Sequence, residues 1–79
     1  MTDREKYEQV FMECFSVEKA VLNEEFVYQC VTEWDSVGHM GMIAAIEDTF
    51  DIMMEMDDII DFSSFTTGIE MLAKYDIVL

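Results

Sequence analysis

The stretch EWDSVGHMGMIAAIEDTF, residues 33–50, decides how this chain folds. Asp35 and Ser36 stand directly before an apolar pattern, and both residue types are preferred at the N-cap of a helix. At about 100° per residue, Met42, Ile43, Ile46 and Phe50 fall on one side. That clustering predicts a helix over residues 36–51 with those four as its core stripe. Val37, Met40 and Ala44 form a second apolar stripe well round from the first, and Glu47, Asp48 and Asp51 continue it. The helix therefore presents one face to its own core and a second, apolar and acidic, with no evident partner inside the chain. Methionine on such a face suits a surface that accommodates several partners.

Outward toward the N-terminus, Thr2 and Glu5 have the spacing of a capping box. Tyr7, Val10, Phe11, Cys14 and Phe15 then recur at i, i+3, i+4, i+7 and i+8, which predicts a helix over residues 3–15. Cys14 on that stripe reads as a small buried hydrophobe. Residues 16–35 have no clean period. The segment EEFVYQCVTEW has strand propensity, but one strand would have nothing to pair with, so an ordered loop is expected. Leu22, Phe26, Val27, Val31 and Trp34 are the residues expected to pin it to the core. Toward the C-terminus, Ile59 and Ile60 between acids predict one short helical turn near residues 57–61. A last helix is expected behind Ser63 or Ser64, with Phe65, Gly68, Ile69 and Leu72 as its face and an end near Tyr75. The fold class expected is all-α: a small four-helix bundle of three longer helices and one short one, with a long loop between helices 1 and 2, in a single domain over residues 1–79.

Seventy-nine residues bound what such a domain does. A chain this short buries only about 60% of its unfolded surface, which leaves room for one thin core and none for an enclosed active site. An enzyme is not expected. At 52% hydrophobic and 13% aromatic the chain is too apolar for a disordered tail. Four basic residues against eighteen acidic ones give a formal net charge of −14, and between Lys19 and Lys74 there are twelve acids and no base. That surface repels nucleic acid and anionic lipid and steers basic protein surfaces toward itself. Cys14 and Cys30 form no metal-ligand spacing, and a reduced, cytoplasmic chain is expected. The charged N-terminus does not read as a signal peptide, and no apolar run is long enough to cross a membrane. The acidity favours a monomer.

Three chemistries compete for these residues. Ser36 at a helix N-terminus is favourably placed to carry a phosphate ester, because free backbone N–H groups and the positive dipole end lie there. As a hydrolytic nucleophile it would need a base. His39, the only histidine, lies three residues on and about 300° round the helix, badly placed to take its proton. His39 reads instead as a half-buried ring hydrogen-bonded to the long loop. The acidic run Asp51–Asp61 lacks the central glycine of a calcium loop, so no metal site is predicted.

Asp35-Ser36-Val37, followed by an amphipathic helix ending Glu47-Asp48-Thr49-Phe50, resembles the acyl carrier proteins and related peptidyl carriers. The long loop before the serine and the segment DDIIDFSSFTTGIEML after the helix resemble the same family, so the likeness covers most of the chain. It implies that Ser36 carries 4′-phosphopantetheine through a phosphodiester, installed by a phosphopantetheinyl transferase, with Asp35 beside it. An acyl or aminoacyl group would ride on the arm as a thioester. A loading ligase and acyltransferase or synthase enzymes with basic patches would dock on Val37, Met40, Ala44, Glu47 and Asp48. Ile43, Ile46, Phe50, Met54, Ile59, Phe62, Ile69 and Leu72 would line an acyl space between the helices. Gly38 and Gly41 stand where fatty-acid carriers have acids, and Trp34 with His39-Met40 resembles stand-alone carriers of dedicated pathways, such as surface-polysaccharide or secondary metabolism. Bulky Phe62 and Phe65 imply a short or polar cargo. The competing reading is a non-catalytic acidic helical interaction module without a prosthetic group.

Overall fold

The computed structural model describes residues 2–79. Among them lie four α-helices: α1 Asp3–Phe15, α2 Ser36–Phe50, α3 Met56–Asp61 and α4 Phe65–Ala73, with a 3-10 turn at Lys19–Val21. The expected all-α bundle with one short helix and a long first loop is the architecture observed. No helix of the described residues is long and apolar enough to cross a membrane.

Each boundary has a local cause. Thr2 Oγ1 accepts from the Glu5 N–H at 3.1 Å, while Glu5 Oε1 accepts from the Thr2 N–H at 3.1 Å, closing the capping box that starts α1. Ser16 in the left-handed region ends it, and its N–H returns to the Met12 carbonyl. Ser64, not Ser63, caps α4, its hydroxyl accepting from the Thr67 N–H at 3.0 Å. α4 stops at Ala73, two residues short of the expected end, with Lys74 as its cap. α2 closes one residue early because Asp51 adopts a left-handed conformation at φ 54°.

Aromatic rings build the centre. Tyr7, Phe11 and Phe15 line one face of α1 at helical spacing and are almost completely buried. Phe11 meets four rings from outside α1: its ring lies 5.9 Å from Phe26, 5.6 Å from Trp34, 6.2 Å from Phe62 and 5.1 Å from Phe65. Burying rings of this size supplies most of the folding drive in so small a domain. The polar end of Tyr7 is satisfied too, since its hydroxyl donates to the Phe65 carbonyl at 2.6 Å. Burial pushes that phenol far above its ordinary range, so it remains a donor. Glu8, on the flank of the stripe, lies between Arg4 at 3.4 Å and Lys19 at 3.6 Å and ties the 3-10 turn back to α1.

The long loop departs from expectation in two ways. Its extended stretch does find a partner: Val27 and Ser64 form an antiparallel bridge. Around it the Tyr28 N–H donates to the Ser63 carbonyl at 2.8 Å, and the Phe65 N–H donates to the Phe26 carbonyl at 2.9 Å. Alternation along an extended backbone then sends neighbours to opposite sides. Phe26 goes inward at 4% exposure, while Val27 stays 40% exposed and does not pin the loop. Leu22 and Trp34 are buried as expected, and Val31 packs only partly against the core. Cys14 is likewise only half-buried rather than enclosed, and both cysteines are free thiols. Burial, helped by neighbouring Glu13, still pushes the Cys14 thiol above its usual value.

The glycines of α2 and α4 are not equivalent. Gly68 is buried, and a methyl group there would collide with Phe62 and the Tyr7 hydroxyl. Gly41 is exposed, with no atom within 4 Å of where a methyl would stand. Gly41→Ala should therefore stabilise the domain by about 0.5–1 kcal/mol through helix propensity alone. At this chain length that corresponds to a rise in Tm of roughly 2–8 °C, read by circular dichroism.

Candidate functional site

The site grows from the start of α2. Asp35 is its N-cap: the carboxylate Oδ1 accepts from the Gly38 N–H at 2.8 Å. Ser36 is the first helical residue, and its side chain is not spent on capping. The two residues divide the work. Asp35 satisfies an orphan helix N–H, and the Ser36 hydroxyl stands exposed, sharing one long hydrogen bond of 3.4 Å with the Tyr28 hydroxyl. Gly38 makes the geometry possible, because a methyl there would run into the Glu33 carbonyl. The incoming loop thus lies directly on the first turn of α2.

His39 locks three elements together. The Trp34 indole can only donate, and its Nε1–H reaches His39 Nδ1 at 3.0 Å. The ring proton is therefore on Nε2, which donates to the Ile59 carbonyl at 2.8 Å. The loop, α2 and α3 are joined through one half-buried imidazole. Its ring lies over Trp34 with 12° between the planes and meets Tyr28 and Phe62 edge-on. His39 has both ring nitrogens occupied and does not point a base at Ser36.

Beside Ser36 opens an apolar groove of about 350 Å³ between α2 and α3. Tyr28, Ser36, His39, Met40, Met56 and Ile59 line it, with Ile60, Phe62 and Ser63 completing the walls. Of the eight residues expected to line an acyl space, Ile59 and Phe62 face this groove. Ile43, Ile46, Met54 and Leu72 belong to the packed core, with Phe50 and Ile69 against it. Tyr28, Met56 and Ser63 were not singled out in the sequence. Nothing periodic marks Tyr28; only its position two residues after Phe26 in the extended stretch places it on the side facing α2.

On the outer face of α2, Val37 is 82% and Met40 53% exposed, and Ala44 and Asp48 are also exposed. Met53, Met56 and Ile60 carry the exposed apolar surface onward from α2 to α3. Glu47 does internal work as well: its Oε2 accepts from the Met54 N–H at 2.8 Å and fixes the α2–α3 connection. Among the described residues no group of three or more His, Cys, Asp or Glu side chains is arranged to hold a metal ion.

The chain matches no protein-family model and no curated protein.

α3, which supplies one wall of the groove, carries a buried acid, Asp58. Its carboxylate accepts from Lys74 Nζ and from the Tyr75 hydroxyl, each at 2.6 Å. Hydrogen bonding to Lys74, then to Tyr75, holds the Asp58 carboxyl below the usual carboxylate range, and the same pairing raises the Lys74 ammonium. A depressed carboxyl contributes stability that is full above its ordinary value of 3.8 and disappears as pH falls through the depressed folded value. A raised ammonium contributes below its ordinary value of 10.5 and is lost as pH rises through the folded one. Stability from this pair should therefore be level across neutral pH and fall in acid, and Asp58→Asn should flatten the acid limb in a urea series run against pH.

Proposed function

We propose that this chain is a carrier protein that holds 4′-phosphopantetheine on Ser36 and presents an acyl or aminoacyl group to partner enzymes. The observation that carries this reading is the division of labour at the head of α2: Asp35 caps the helix, so the Ser36 hydroxyl is left exposed for a foreign enzyme to reach. The residues present fit the group. The first-turn N–H groups at a helix N-terminus suit an anionic phosphodiester. The groove beginning at Ser36 offers an apolar bed for the arm or a short cargo. When bound, the arm supplies a terminal thiol able to carry cargo as a thioester.

The protein's own residues perform positioning and recognition rather than chemistry. Asp35 and Gly38 fix where the serine stands. Trp34 and His39 hold the loop, α2 and α3 as one support beneath it. Val37, Met40 and Ala44, flanked by Glu47 and Asp48, form an apolar and acidic face suited to the basic patches of a phosphopantetheinyl transferase, a loading ligase and acyltransferase or synthase enzymes.

Intact-mass spectrometry tests the reading directly. Incubated with coenzyme A, magnesium and a broad-specificity transferase, the chain should gain roughly 340 Da, the mass of the arm. Ser36→Ala should abolish the gain completely while leaving the circular dichroism unchanged, because the hydroxyl makes only the long contact to Tyr28. An unmodified wild-type chain would overturn the carrier reading and favour an acidic interaction module that uses the same face without a prosthetic group.

A further inference from the structure

α3 is the weakest element of the bundle by its own resources. It spans six residues, has no side-chain N-cap, and its one buried residue is an acid, Asp58. A helix this short does not persist without tertiary support. Met56 and Ile60 are 67% and 69% exposed and add little burial. Ile59 packs against the core and Phe62 is buried at the C-cap, and polar contacts from other elements supply the rest of the hold. Lys74 and Tyr75, just past the end of α4, both donate to Asp58 at 2.6 Å. Tyr75 works twice, because its oxygen also accepts from the Glu55 N–H at 3.0 Å, at the very start of α3. From the other side His39 reaches the Ile59 carbonyl. Lys74 is the only lysine or arginine in the chain after Lys19.

Met56, Ile59 and Ile60 of α3 form one wall of the groove beside Ser36. We propose that Lys74 and Tyr75 latch α3 against the end of α4 and so act as positioning residues that set how far this groove opens. The latch is independent of whether Ser36 carries a group, so it stands or falls separately from the carrier reading. The ionisable groups facing Asp58 are Lys74 and Tyr75 from the C-terminal turn, and Glu55 at the head of α3 faces those two. The bond to Asp58 keeps the Tyr75 phenol above its ordinary value, so it stays protonated and donating. Glu55 lends its backbone N–H to Tyr75, and its carboxylate charge acts on Lys74 and Tyr75. Protonating Asp58 removes the ion pair with Lys74 and weakens the hold.

Hydrogen exchange read by mass spectrometry, with the apolar dye Nile red as a groove probe, separates a latch from a general stabilising contact. In Lys74→Met and in Tyr75→Phe, exchange across residues 54–62 should accelerate roughly three- to tenfold, the range for losing a partly exposed, charge-assisted contact. Nile red emission should rise under conditions where far-UV circular dichroism is unchanged. Lys74→Arg should restore both readouts. Unchanged exchange at α3, or faster α3 exchange without dye uptake, would each overturn the proposal. The unmutated chain supplies a second measurement if a variant fails to fold. On acidification dye uptake should precede the loss of far-UV circular dichroism, and coincident transitions would sink the latch.

Discussion

Replacing Trp34 with alanine is expected to cost about 3–5 kcal/mol, the range for deleting a fully buried large aromatic. A domain of this size has a total stability of only about 4–12 kcal/mol, so the loss takes from about a quarter of that margin to all of it. The expectation rests on more than volume. Trp34 is 0% exposed and stacks on Phe15 at 5.0 Å and Phe26 at 5.4 Å, joining α1 to the loop. Its indole N–H is also the only donor the structure gives to His39 Nδ1. Removing it leaves a half-buried acceptor without a protein partner and loosens the link from α2 to α3. Trp34→Phe separates the two contributions: it keeps most of the ring contacts and deletes the donor, and should cost about 1–3 kcal/mol. Urea denaturation of both variants, followed by circular dichroism, gives the two numbers. Equal midpoints for phenylalanine and wild type would mean that the hydrogen bond contributes nothing.

Adding a single methyl group at Gly68 is the second change with a large expected effect. Gly68→Ala should destabilise by about 1–3 kcal/mol, although alanine is the better helix former by about 1 kcal/mol. Packing decides the sign. The new carbon would overlap the Phe62 ring and the Tyr7 hydroxyl, at 1% and 0% exposure, and neither has free space to retreat into. Tyr7 is also committed to the Phe65 carbonyl. Gly41→Ala on α2 is the internal control, because the same chemical change in open space should stabilise. A thermal melt in which both glycines respond alike would refute the distinction between them.

The extent to which the chain could be read from its residues follows how local each feature is. α1 and α2 announce themselves because capping groups and apolar stripes lie within a few residues of each other. Gly68 against its neighbours was also legible, as a glycine on an inner helical face that only close packing would justify. The Val27–Ser64 bridge was not, because the partner of the extended stretch lies 37 residues away in a segment that reads as a helix cap. The groove beside Ser36 was not legible for a related reason. Apolar residues at core spacing look alike in sequence whether they fill a space or border one. Ile43, Ile46 and Leu72 pack the interior, whereas Tyr28, Met56 and Ser63 reach the groove through loop and short-helix geometry. Asp58 was hidden among twelve acids that appear equally solvated; only the fold singles it out by bringing Lys74 and Tyr75 onto it. At Asp35-Ser36 the residue types were plain, but which of the two does the capping required coordinates.

The chain contains one tryptophan, and it is the one wedged beneath the imidazole at the root of the groove. Excited beyond the absorption of the three tyrosines, intrinsic fluorescence is consequently a signal from this one position. The heterocycle lying across it is tethered through Ile59 to α3, one wall of the groove. An unlabelled sample in a cuvette can thus register occupancy of the cleft, without any dye or isotope.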